Sequence, residues 1–174
     1  MSVDGTDFPL AWGANQKRLS CYKFKGKPGL RYEVGVCLRT SDIVWISGPH
    51  YPGLYNDLQI FRMGMKGMLE DGERVEADDG YLGENPLKCK CPNGVNKDPE
   101  RAISDQRHRS RHEQFNERIK NWHSMNGKFR HSVEKHGTCF YCIALLTQLA
   151  IEHGEEIFSV VYDNKLTDED VFGL

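Results

Sequence analysis

The run RYEVGVCLRT, residues 31–40, followed by DIVWISGP, residues 42–49, decides the fold. Tyr32, Val34, Val36 and Leu38 alternate with polar or small residues, the period-two pattern of a strand with one buried face. Ile43, Val44, Trp45 and Ile46 are β-branched or aromatic and suit a pleated, half-buried surface. Ser41 and Asp42 supply turn chemistry between the two runs, so the pair reads as a hairpin.

Working outward, HYPGLYND, residues 50–57, is a turn that leads into a helix. Asp57 is a candidate N-cap for a helix over 58–70, with Leu58, Phe61, Met65 and Leu69 at helical spacing and Asp71-Gly72 ending it. The methionines of this segment read as core filler rather than ligands. RVEADDGY, residues 74–81, reads as a short strand ending in acids, and 82–100 as irregular chain with three prolines. Residues 101–122 read as one polar helix, 137–153 as a more apolar helix, and FSVVY, 158–162, as a last strand or edge. Upstream, 8–31 is loop-like, and MSVDGTD, residues 1–7, reads as a strand end running into a turn.

The whole chain of 174 residues suits one domain with a tail, and 39% hydrophobic residues suffice for a soluble globular core. No apolar run approaches the length of a membrane span, which argues against membrane insertion. The acidic N-terminus lacks a secretion pattern, and six cysteines are too sparse for a disulfide scaffold, so a reduced intracellular setting is expected. A formal net charge of -2 excludes a basic nucleic-acid binder over the whole chain. The average hides a split: residues 101–135 hold nine Lys and Arg against four acids, and 152–174 hold seven acids against one lysine. The basic half suits an anionic ligand or, the plainer reading, a solvated helix face beside an acidic tail.

Carboxylates recur where a metal site would need them: Asp4 at the end of the first strand, Asp78 and Asp79 at the end of the 74–81 strand, Glu113 within the polar helix. Hard divalent cations prefer such oxygens, and a pair of ions can activate water and stabilise a leaving oxygen in phosphodiester chemistry. Arg109, Glu113 and Lys120 share one helix face, with cations on either side of a carboxylate. That stripe suits metal plus phosphate, or an ordinary salt-bridge ladder, and Glu117 competes with Glu113 for the ligand role. Cys89 and Cys91, and Cys139 and Cys142, have spacings that read as core packing ahead of zinc. His108, His112, His123, His131 and His136 read as lining a basic, phosphate-facing surface. Trp122 and Phe129 read as packing residues ahead of base-stacking ones, and KFKGKPGLR as an exposed loop or a DNA-backbone contact.

The segments VDGTD (3–7), SGPHYPGLYNDLQIFR (47–62), GERVEADDGYLGE (72–84), RSRHEQFNERIK (109–120) and FRH (129–131), with the helix HGTCFYCIALLTQLAIEHGE (136–155), carry a resemblance. In order and spacing they resemble the catalytic domain of Harbinger-like DDE transposases, the DDE superfamily endonucleases. The resemblance implies an α/β, ribonuclease-H-like mixed sheet flanked by helices over residues 1–162, with an acidic tail over 163–174. Because only three residues precede Asp4, it also implies a first strand that is mostly missing. Asp4, Asp78 and Glu113 would be the catalytic acids and the ligands of two Mg²⁺ or Mn²⁺ ions. Arg109, Lys120 and Arg111 would hold phosphate. Asp57 matches a further recurrent aspartate of the family and reads as supporting the helix start. Asp57, Asp79 and Glu117 remain alternatives to the proposed ligands. The implied activity is metal-dependent cleavage of phosphodiester bonds at transposon ends and strand joining in the nucleus. DNA is the partner, with room for a separate DNA-binding protein and an open oligomeric state. The alternative is an inactive or domesticated remnant that binds DNA or a protein.

Overall fold

A computed structural model describes residues 1–93 and 112–155. Its frame is a five-stranded mixed sheet in the order β3-β2-β1-β4-β5. Strand β1 (Ser2–Pro9) pairs antiparallel along its whole length with β2 (Gly29–Val36), which pairs antiparallel with β3 (Ile43–His50). On its other edge β1 meets β4 (Val75–Glu76) in parallel, and β4 meets β5 (Cys89–Lys90) in parallel. The expected β2–β3 hairpin is therefore present.

Several expectations are corrected. The first strand is not mostly missing: β1 has eight residues, and Asp4 lies near its beginning rather than at its end. Asp-Gly chemistry predicted a turn there, but unbroken pairing with the apolar β2 holds the segment extended. The cap of α1 (Asp57–Met63) is Asn56, not Asp57: Asn56 and Gln59 exchange side chain–backbone hydrogen bonds of 2.9 Å in a capping box. The helix stops at Gly64 instead of reaching residue 70, and a 3-10 turn, Met65–Met68, follows. Two glycines in that stretch lower helix propensity, and the Trp45 ring lies where a Cβ on Gly64 would stand, 2.9 Å away. The 74–81 strand shrinks to Val75–Glu76 because the Asp78 side chain accepts from the Gly80 N–H at 2.8 Å and caps a 3-10 helix, Asp79–Glu84. The stretch expected to be irregular holds that helix and β5.

Residues 112–121 form α2, followed by the short α3 (His123–Asn126) and the long α4 (Val133–Glu152). Ser132 caps α4, so it starts four residues before the expected position. The strand expected at 158–162, the tail from 163, and the part of the polar helix before residue 112 lie outside the described residues.

Alternation along β1 sorts its side chains onto two faces. Phe8, on the face that also carries Asp4 and Thr6, packs with Leu30, Tyr32 and Val34 of β2 against Phe115 and Ile119 of α2 and Phe140 and Ile143 of α4. Tyr32 stacks on Phe140 with centroids 3.8 Å apart, and its hydroxyl meets His136 Nδ1 at 2.8 Å. On the other face Val3 packs with Phe61, Met65, Val75, Tyr81 and Cys89. The sheet is thus sandwiched between α2 and α4 on one side and α1 on the other.

Candidate functional site

The parallel register places Ser2 beside Glu76. Two residues further along come Asp4 on β1 and, just past the end of β4, Asp78. Asp78 is near enough that its charge, after burial itself, is the main force pushing the Asp4 carboxyl up to about 7. Helix α2 covers this region. Its first described residue, His112, is buried, and His112 Nε2 meets Ser2 Oγ at 2.8 Å. Glu113 follows at once, exposed on the flank of the buried His112–Phe115–Ile119 stripe. A single cavity of about 300 Å³ is lined by Asp4, Asp78 and Glu113, together with Ser2, Glu76 and His112. Three acids separated widely in sequence therefore face one space.

Each aspartate has a local restraint. Asp4 Oδ1 accepts from Gly5 N–H at 2.7 Å, and Asp78 Oδ1 from Gly80 N–H at 2.8 Å. Among the described residues no Lys or Arg forms an ion pair with either. An all-oxygen donor set whose half-buried Asp4 has no ion-pair partner fits a hard divalent cation, which would relieve the repulsion between Asp4 and Asp78. Among the described residues, however, no group of three or more His, Cys, Asp or Glu is arranged to hold a metal ion.

The alternatives fall in different places. Asp57 lies behind β1, on the α1 side, where Arg31 Nη1 pairs with its Oδ1 at 3.1 Å. Arg31 also makes a two-pronged contact with Asp7, both distances 2.8 Å. Gly5 leaves the room for this: a Cβ there would stand 2.2 Å from Asp57 Oδ1. Asp57 also nears Asp78: a Cβ on Gly80 would stand 3.7 Å from Asp57 Oδ2 and 2.8 Å from Asp78 Oδ1, and burial, opposed by Arg31 and reinforced by Asp7 and Asp78, raises the Asp57 carboxyl. Asp79 lines the same cavity but accepts from the Asn93 backbone N–H at 3.0 Å, which ties down the chain after β5. Glu117 is exposed further round α2.

Of the proposed phosphate holders, Arg109 and Arg111 lie outside the described residues. Lys120 projects over the Phe8 ring, 5.5 Å from its centroid, and burial together with Lys23 lowers its ammonium. Glu113 and Lys120, seven residues apart, do share a helix flank to within about 20°. The histidines do not form one surface: His136 is enclosed among Phe8, Tyr32 and Phe129, where burial pushes it down to about 4, and His112 is buried against Ser2. His108 lies outside the described residues, while His123 and His131 are exposed. Cys89 and Cys91 sit in the core on the α1 side, with the Cys89 thiol pushed up by burial to about 12.

Three residues take places at the site that the sequence alone did not assign to them. Glu76 lines the cavity two residues before Asp78, and the strand period alone would have put the two on one face. Ser2 and His112 fasten the glutamate helix to the aspartate strand, and no local signal announces a bond between residues 110 apart. Set against protein-family models, curated proteins and solved structures, the chain finds no match.

Proposed function

We propose that this chain is a DDE-type, metal-dependent DNA endonuclease built on a ribonuclease-H-like sheet, acting at transposon ends and joining strands in the nucleus. The observation that carries the reading is the convergence of Asp4, Asp78 and Glu113 on one cavity. The sheet order supports it, with β1 antiparallel to β2 on one side and parallel to β4 on the other. Asp4 on β1, Asp78 just past the end of the adjacent parallel strand β4, and Glu113 on the helix that covers them would hold Mg²⁺ or Mn²⁺. The bound ions would supply the Lewis acidity that activates the attacking oxygen and steadies the leaving one.

The chain's own residues do the rest. Asp4 must give up its proton to serve as a ligand, which the raised carboxyl makes a step near neutrality. The His112–Ser2 bond sets the distance between the glutamate helix and β1. Lys120, held over Phe8 on the same flank as Glu113, offers a cation to a substrate phosphate, with Arg109 and Arg111 as further holders. No serine or tyrosine nucleophile is required.

One observation favours a second reading, a non-catalytic module that binds DNA or a protein: the described acids do not by themselves enclose an ion. The two separate on nicking of labelled duplex DNA in Mg²⁺ or Mn²⁺. The endonuclease reading expects nicking that Glu113→Gln lowers by roughly 100-fold or more. DNA binding without nicking would leave the module, and nicking indifferent to Glu113→Gln would remove Glu113 from the mechanism.

A further inference from the structure

Between Asp7 and Glu33 the chain holds no acidic residue, yet it carries Lys17, Arg18, Lys23, Lys25, Lys27 and Arg31. Arg31 is consumed by Asp7 and Asp57. The other five are exposed, and among the described residues none forms an ion pair. Like charges crowded on one surface repel, so the cluster costs stability unless an anion neutralises it.

The loop that displays them is built rather than slack. Leu19 and Cys21 are fully buried beneath it. Backbone bonds from Gly53 to Arg18, from Cys21 to Lys27 and from Leu10 to Pro28 fasten it at 2.9–3.1 Å. At its tip the 3-10 turn Tyr22–Phe24 lays the half-buried Phe24 ring beside Gly29, which pairs with Pro9 of β1, and turns Tyr22 outward at 97% exposure. Lys120 lies over the Phe8 ring, so the turn and the end of α2 reach the same end of β1 from its two sides, with the Phe8 ring on the Lys120 side. Asp4 lies four residues back along that strand, on the same face. The Lys23 ammonium is near enough to act on the charges of both Asp4 and Lys120.

We propose that the loop 17–27 is a binding site for an unpaired DNA strand, with Lys23 taking the phosphate nearest the acidic cavity and Tyr22 stacking on a base. The choice of DNA rests on the endonuclease reading. The preference for an unpaired strand rests on Tyr22, whose open ring offers a stacking surface that a paired base inside a duplex cannot reach. The lysines Lys25 and Lys27, on the same loop, follow the backbone away from the cavity.

The test is fluorescence anisotropy of the full chain in EDTA, with a labelled oligonucleotide offered as a single strand and as a duplex. The absence of divalent ions separates binding from cleavage. The combined variant Lys23→Gln, Lys25→Gln, Lys27→Gln should lower the slope of log K against log salt by about 2 for the single strand. Tyr22→Ala should weaken single-strand binding roughly tenfold and leave duplex binding nearly unchanged. Arg39→Gln, an exposed cation near the far end of β2, serves as the control and should leave the Tyr22 effect intact. Absence of single-strand binding by the wild type, an unchanged salt slope, or equal losses on single strand and duplex in Tyr22→Ala would overturn the proposal. Loop-dependent binding without nicking would sink the endonuclease reading alone. Nicking that survives with wild-type binding in the loop variants would sink the loop alone.

Discussion

Asp4 shows how a single carboxyl ties stability to the candidate site. Its unfolded value is 3.8, and burial with the neighbouring Asp78 raises it to about 7 in the fold. Between about pH 4 and 7 the unfolded chain has released a proton that folded Asp4 keeps, so this residue makes stability fall as pH rises across that window. Glu33, buried beside Trp45 and Tyr81 and also pushed up to about 7 by burial, adds in the same direction. Asp4→Asn removes the ionisation while keeping the shape. Melting in EDTA should therefore show the variant more stable than wild type at pH 8, by about 2–4 °C for each kcal/mol relieved, and nearly equal at pH 4. Gly5 is a second sensitive position. A Cβ there would meet Asp57 Oδ1 at 2.2 Å, and that carboxylate is pinned by Arg31. Gly5→Ala should cost about 1–3 kcal/mol in urea denaturation, with an unchanged m-value.

At the scale of elements, α4 is held by aromatic packing more than by its own propensity. Phe140 packs against both Phe8 and Tyr32, so Phe140→Ala should cost about 3–5 kcal/mol in equilibrium unfolding. A loss under 1 kcal/mol would show that α4 is not fastened to the sheet in this way. Elements with a long periodic signal were legible in the sequence. The alternation Tyr32-Val34-Val36 gave β2, the branched run Ile43–Ile46 gave β3, and the apolar run from Cys139 gave most of α4. Short elements set by tertiary partners were not. β4 and β5 have two residues each, and neither is long enough to carry a period. β1 contains an Asp-Gly pair that locally reads as a turn and becomes strand only by pairing with β2. α1 ends early because Trp45, from another strand, occupies the space beside Gly64. The three cavity acids could be chosen on their residue types and the family resemblance. Glu76 and the His112–Ser2 contact depend on register and on a helix-to-strand distance that no local pattern encodes.

Across the whole molecule the sheet separates two kinds of chemistry. On the α1 side, Asp7, Glu33 and Asp57 are partnered by Arg31, Trp45 and Tyr81, a closed set of charges and donors. On the α2 side, Asp4 and Asp78 form no ion pair with a Lys or Arg among the described residues, and Glu113 opens onto the same cavity. The closed set holds the frame in shape, and the open set is where a cation has something to neutralise. The most direct test is a Mn²⁺ titration of the full chain at pH 8, followed by the electron paramagnetic resonance of the free ion. Saturable binding is expected, which Asp4→Asn, Asp78→Asn and Glu113→Gln should each weaken by about tenfold or more. Failure of the wild type to take up Mn²⁺, or uptake that all three variants retain unchanged, would contradict it.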